Sequence, residues 1–298
     1  MVKRKMKNEE FLCCPYCQKN LKLDRNFLVC GSCGKKYKFK NGIFDFVNSK
    51  KLSGQELKQL DYFSKAENVT TADYYLEEWQ KSFIRRFLEN FPEVKGKVIL
   101  DAGVGQGYMT IELAKMGAKV LACDLSFLAL LRLQKVAKKI EVLENIVFIA
   151  CSLEKLPVKS KIVNGIISNA VLEHIAEEEK AISELGRVAK KTAGLMITVP
   201  LKYRYNNPLF IPSLIWQDRM IGHLRRYDGN ELTERFKKFG FSAKKTYYSG
   251  HFRKVVFTKI FSPLFGLDSL LPKFEAIDCR SEQQKYGASN ICIYLERP

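Results

Sequence analysis

The clearest pattern in the chain is Val98-Ile99-Leu100, an unbroken apolar run of the kind needed by a strand buried on both faces. It runs directly into Asp101-Ala102-Gly103-Val104-Gly105-Gln106-Gly107. An amphipathic helix is predicted over 109–116, and a second apolar strand over 118–123 that ends at Asp124. Further strands are expected at 165–168, 195–199 and 291–295, with a helix over 229–239. Strands alternating with amphipathic helices predict a doubly wound α/β sheet. Upstream, Tyr75, Trp79, Phe83, Phe87 and Leu88 recur at helical spacing until Pro92 ends the pattern. Residues 48–72 are polar and helical in tendency, with breaks at Ser53-Gly54 and Thr70-Thr71. Residues 201–218 read as an irregular stretch carrying Tyr203, Tyr205 and Trp216. Residues 252–274 form an apolar insertion before the last strand, broken by Pro263 and Pro272.

The first fifty residues follow another rule. Cys14-Pro-Tyr-Cys17 and Cys30-Gly-Ser-Cys33 are two Cys-x-x-Cys pairs. Each can present two thiolates from one tight turn, and together they complete a tetrahedral Zn²⁺ site with a structural role. Short strands are expected at 21–23 and 26–29, and a strand pair over 37–46. Cys13 competes with Cys14 for the first ligand position, although the Cys-Pro-x-Cys spacing favours Cys14. A segment this short and rich in lysine needs the metal in order to fold. These patterns divide the chain into a zinc ribbon (1–50), a helical linker with a covering helix (51–92) and an α/β domain (93–298).

Composition narrows the setting. With 46% hydrophobic and 12% aromatic residues, the 298-residue chain has ample material for a buried core. Lys and Arg number 50 against 32 Asp and Glu, a net charge of +18. That balance fits either a polyanionic partner, nucleic acid or anionic lipid, or simply a lysine-rich proteome. The start, MVKRKMKNEE, lacks the apolar run of a secretory signal, and nine cysteines fit a reducing, cytoplasmic compartment. No apolar run is long enough to span a bilayer.

The glycine-rich turn carries the chemistry. A dinucleotide fingerprint requires glycine at 108, where this chain has Tyr108. Asp101 inside the strand suits a ligand with a charged amino-acid end and no phosphates. Over about 95–245 the chain resembles the type-11 class I methyltransferases, a group that includes quinone-biosynthesis enzymes. The resemblance implies a seven-stranded Rossmann-like methyltransferase sheet and S-adenosylmethionine as cofactor. It places Asp101, Gly103, Gly105 and Gly107 beside the methionine part and Asp124 on the ribose. Phe148-Ile149-Ala150-Cys151-Ser152-Leu153 matches the adenine-side motif, with Ser152 in place of the usual aspartate. Either the Ser152 hydroxyl or the Leu153 backbone then meets the adenine. Asn164 also replaces an aspartate. Ser168-Asn169-Ala170-Val171-Leu172-Glu173-His174 matches the fourth motif, which turns Asn169 toward the transferred methyl. The ribbon resembles segments fused ahead of several methyltransferases, an rRNA guanine methyltransferase family among them.

His174 is a candidate general base or a helix-capping residue. Gly222-His223-Leu224-Arg225-Arg226-Tyr227 also matches the group, and places His223 in an exposed loop as the stronger proton-transfer candidate. Arg225 and Arg226 either bind an anionic group or pair with a local acid. The insertion either dips into a membrane surface, making the protein peripheral, or serves as a lid or dimer contact. A small-molecule or lipid-like acceptor leads. RNA is the alternative, supported by fourteen Lys and Arg against five Asp and Glu in residues 1–60.

Overall fold

The apolar runs pair as a twisted sheet whose order reverses at the glycine-rich turn. A computed structural model describes residues 6–48, 52–65 and 74–297. The ribbon strands are β1 (Leu21–Asp24), β2 (Phe27–Cys30), β3 (Lys36–Lys40) and β4 (Ile43–Asp45). Helices α1 (Gly54–Lys65) and α2 (Glu78–Asn90) follow. Next come β5 (Val98–Ala102), α3 (Tyr108–Lys115), β6 (Lys119–Asp124), α4 (Phe127–Lys139), β7 (Ile146–Ala150) and β8 (Val163–Asn169). The remainder is α5 (Glu178–Val188), β9 (Ala189–Pro200), α6 (Ile211–Ile221), α7 (Gly229–Lys237), β10 (Ser242–Ser249) and, after the insertion, β11 (Asn290–Glu296).

Strands β7-β6-β5-β8-β9-β11-β10 form the seven-stranded doubly wound sheet that the sequence predicts. Six of them run in one direction, and β11 runs antiparallel between β9 and β10. The order reverses between β5 and β8, which opens a crevice at their carboxyl ends, where such sheets bind ligands. The strands of this centre are buried on both faces, as the unbroken apolar runs require.

The ribbon does not stand apart. Strand β4 pairs in parallel with β7, Ile43 opposite Phe148 and Asp45 opposite Ala150, and extends the sheet to eleven strands. Ile43 and Phe44 are both buried, one toward each face of the sheet. Leu12, Leu28 and Phe44 join Leu153, Leu156 and Val158 in one core. Burying a phenylalanine such as Phe44 contributes about 2–3 kcal/mol. Backbone bonds from Cys13 to Pro157 and from Lys159 to Phe11 pin the ribbon's first turn to the domain.

Two segments differ from expectation. Residues 201–218 are helical through most of their second half, because Pro212 starts α6, Leu214 and Asp218 face inward, and Gly222 closes the helix in the left-handed region. Helix α1 begins at the predicted Ser53-Gly54 break, while Thr70, Thr71 and Asp73 lie outside the described residues. The insertion is a run of short helices, α8 (Phe252–Val256), a π turn (Phe257–Phe261), α9 (Ser262–Phe265) and α10 (Leu271–Arg280). Phe257 stacks on Phe274 at 3.7 Å between ring centroids, and Cys279 meets Ser82 of α2, so the inner face of the insertion is packed. Of its predicted apolar members, the side chain of Ile260 lies outside the described residues, as does that of the flanking Lys259.

Candidate active site

After β5 the chain turns on Gly103, at φ +89°, and its amide and that of Val104 bond to the Cys123 carbonyl of β6. A Cβ at Gly103 would overlap Val171, and one at Gly107 (φ +76°) would overlap Leu133. Gly105 is also left-handed, but nothing lies within 4 Å of where its Cβ would stand, so the middle of the loop is open to a ligand. The Asp124 carboxylate accepts from the Gly105 amide at 3.2 Å and the Ser126 amide at 2.7 Å, which holds the loop in shape. Burial raises the Asp124 pKa, against the lowering effect of these amides. Asp101 lies buried beneath the loop and accepts from the Thr110 hydroxyl at 2.6 Å. Its pKa is pushed up to about 7, first by desolvation and then by the nearby Asp124 charge, with the Thr110 bond opposing.

Helix α2 covers this loop. Trp79 meets the Tyr108 ring edge-on at 5.4 Å, Phe83 lies beyond it, and Gln80 donates to Gln106 at 2.8 Å. Asn169, at the end of β8, donates to the Tyr108 hydroxyl at 2.9 Å and is thereby turned toward the loop. On the adenine side, the Cys151 amide bonds to the Asp124 carbonyl, Ser152 caps a short turn by accepting from Glu154, and Leu153 is buried. Asn164, half-buried, accepts from the Val98 amide at 3.1 Å and from Lys190, tying β5, β8 and β9 together at their amino ends.

Beyond β8 the chain brings His174 and His223 together, with ring centroids 4.8 Å apart. His223 is not exposed as expected. Its side chain is only 11% accessible and its Nδ1 lies 2.8 Å from Asp218 Oδ1. Asp218 also receives two bonds from Arg226, at 2.6 and 2.9 Å, and one from the Tyr203 hydroxyl, which hold its carboxylate well below the ordinary range despite burial. His174 is pushed down to about 4 by burial and by its neighbour His223. Between them lies Glu173, 1% exposed, with neither carboxylate oxygen hydrogen-bonded. Desolvation raises its pKa to about 8. Gln55 and Gln59 of α1 bond to the carbonyls of His174, Ile221 and Gly222, and close this side from above. Arg225 is spent on the Ile175 and Ala176 carbonyls and on Glu178, and Arg226 on Asp218. Both arginines thus take the local pairing among the alternatives.

The geometry meets independent likenesses. A family model described as a methyltransferase domain matches residues 100–197. The chain carries a methyltransferase domain. A probable S-adenosylmethionine-dependent methyltransferase of Mycobacterium tuberculosis is 26% identical over half of this chain and half of its own length. A tRNA 5-carboxymethoxyuridine methyltransferase of Escherichia coli is 32% identical over 31% of this chain and 36% of its own. The chain spans about half the length of the first curated relatives it matches. Among solved structures, geranyl diphosphate C-methyltransferase from Streptomyces coelicolor superposes with a TM-score of 0.59 at 13% identity, covering 83% of this chain and 99% of that one. That likeness concerns the fold.

Outside the methyltransferase domain, the sulfurs of Cys14, Cys17, Cys30 and Cys33 all lie within 4.8 Å of one another. Cys14 and Cys33 are 3.6 Å apart, and Cys17 and Cys30 3.4 Å. Cys13 is buried outside this group, its backbone paired with Asn20. The Tyr37 hydroxyl lies 3.1 Å from Cys14 Sγ. Residue-by-residue reading had no means to single out Glu173, Asp218, Gln55 or Gln59. Only Glu173 left a trace, as a carboxylate beside His174 in the fourth motif.

Proposed function

We propose that the protein transfers the methyl group of S-adenosylmethionine to a small or lipid-like acceptor held between the glycine loop and the Glu173–His174–His223 cluster. The observation that carries this reading is the loop itself. Two of its glycines are forced by Val171 and Leu133, the third faces open space, and acids stand below and beside it. Asp101, Gly103, Gly105 and Gly107 would meet the methionine end, Asp124 the ribose, Ser152 and Leu153 the adenine, and Asn169 the methyl-bearing side. The buried Asp101, poised near neutrality, gains a counter-ion when the cationic amino-acid end arrives. In-line displacement at a sulfonium carbon has a good leaving group, so alignment and exclusion of water supply most of the catalysis. Helix α2 and the glutamines of α1 provide that cover. His223, with Nδ1 donating to Asp218, presents the lone pair of Nε2 on the acceptor side.

A lipid-like acceptor is favoured by the apolar rim nearby. Leu209 is 81% exposed, Trp216 66%, Leu264 71% and Phe265 65%, and a Phe210–Phe252 ring contact at 5.1 Å joins the α6 region to the insertion. Exposed apolar side chains in such a group are uncommon without a partner. No helix among the described residues is long and apolar enough to cross a membrane. The ribbon would hold a structural Zn²⁺ on Cys14, Cys17, Cys30 and Cys33, since four thiolates at these spacings match a closed tetrahedral site. A second reading, RNA methylation, is favoured by Tyr16, half exposed with Lys35 and Lys155 over its ring at 4.1 and 5.2 Å, a platform on which a base can stack. Incubating the full chain with methyl-labelled S-adenosylmethionine and a cell extract separates the two. Label in the organic phase or in water-soluble small molecules supports the first reading, label in RNA transfers the assignment to the second, and no labelled acceptor in any fraction rejects both.

A further inference from the structure

We infer that Glu173, His174 and His223 form a second metal site, for a divalent transition cation, on the acceptor side of the methyltransferase domain. One ligand atom from each residue lies within 4.8 Å of the other two. Glu173 Oε1 and His223 Nε2 stand 3.8 Å apart, too far for a hydrogen bond. That distance is close to the spacing of two donors bound to one ion, about 3.4 Å for bonds of about 2.1 Å at a tetrahedral angle.

The carboxylate is the independent sign. Glu173 is 1% exposed, and both oxygens are without a hydrogen-bond partner. A buried carboxyl left this way is costly unless an ion or a proton occupies the place it points to. The imidazole facing it is already arranged as a ligand. Asp218 accepts a hydrogen bond from Nδ1–H of His223 at 2.8 Å, and that fixes the tautomer with Nε2 as the ligand nitrogen on the side of Glu173. A histidine whose other nitrogen donates to a carboxylate is the usual supporting arrangement around a metal. Asp218 is in turn clamped by Arg226 and Tyr203.

Two imidazoles and one carboxylate select zinc, manganese or ferrous iron over magnesium or calcium, which prefer all-oxygen sites. Three protein ligands leave positions open. If the methyl-transfer reading holds, an acceptor oxygen takes one of them and loses its proton to water. Its lone pair then forms the O–C bond as the S–C bond breaks, and the electron pair of that bond stays on sulfur as a neutral thioether.

The test uses the full chain with the ribbon already saturated with Zn²⁺, titrated with Co²⁺. The site predicts one further equivalent of Co²⁺ with weak visible d–d bands and no intense thiolate charge transfer. Asp218→Asn, which leaves all three ligands in place, should weaken Co²⁺ binding about 10–100-fold. Glu173→Gln and His223→Ala should each abolish it, with far-UV circular dichroism checking the fold. No Co²⁺ uptake beyond the ribbon, a thiolate spectrum only, or uptake indifferent to all three substitutions overturns the site. Calorimetry with S-adenosylmethionine on the same samples reports the donor site separately. Co²⁺ uptake without S-adenosylmethionine binding rejects the methyl-transfer reading and leaves the metal site standing.

Discussion

Replacing Asp101 with asparagine removes a charge from beneath the glycine loop while keeping an oxygen for the Thr110 hydroxyl. In the folded protein this carboxyl titrates at about 7 instead of 3.8, because it is desolvated and shares its surroundings with Asp124. Below pH 7 the neutral acid is therefore the favoured folded form. The stability tied to Asp101 is complete below pH 3.8 and is lost progressively as pH rises through 7. Across that window the ionised form costs about 4 kcal/mol relative to the unfolded chain, since one pH unit corresponds to about 1.4 kcal/mol. Asp101→Asn escapes this loss. Urea unfolding should show it about 3–4 kcal/mol more stable than the wild type at pH 8, with the difference shrinking to about 1 kcal/mol near pH 4.5. Cofactor binding should move the opposite way. A cationic ligand needs the carboxylate, so wild-type affinity for S-adenosylmethionine should rise about tenfold from pH 6 to pH 8, about fivefold of it by pH 7, and then level. The variant should bind weakly with no such slope. An asparagine variant that is destabilised equally at both pH values, or wild-type binding flat from pH 6 to pH 8, refutes the reasoning.

Gly107→Ala should lower cofactor affinity at least tenfold and destabilise by about 1–3 kcal/mol, because its Cβ meets Leu133 at φ +76°; calorimetry and melting measure the two effects. Stripping Zn²⁺ from the ribbon should release β4 from β7, so hydrogen exchange at residues 146–150 should accelerate along with that of the ribbon. His251 has acceptors on both nitrogens, Asp278 at 2.7 Å and the Gln284 carbonyl at 2.8 Å, and these bonds raise its pKa against the opposing effect of burial. Its contribution is complete below pH 6.5 and lost as pH rises through the higher folded value. The insertion should therefore become more susceptible to proteolysis at pH 9 than at pH 6, and His251→Gln should flatten that difference.

The geometry of the glycine loop was legible because it is local. Strand, glycine turn, helix and Asp124 are contiguous, and each residue's requirement can be read from its neighbours. The ribbon cysteines were legible for the same reason, down to Cys14 in preference to Cys13. The Glu173–His174–His223 cluster depends on contacts across the chain. His223 looks like a loop residue until Gln55 and Gln59 of α1 and Asp218 of α6 enclose it. Glu173 looks like a solvated residue at a helix start until it proves buried without a partner. The attachment of the ribbon was equally hidden. Parallel pairing of β4 with β7 joins segments about a hundred residues apart, and its one local trace is the adjacent apolar pair Ile43-Phe44 in an otherwise alternating strand. Residues 201–218 were misread because tyrosines and an asparagine pair at the start conceal the helical spacing of Leu214 and Asp218.

The measurement that tests the central claim most directly is calorimetric titration of the zinc-loaded full chain with S-adenosylmethionine and, separately, with NAD. The structure predicts one saturable site for S-adenosylmethionine, weakened by Gly107→Ala, and no binding of NAD. Binding of NAD, or of neither ligand, would contradict it.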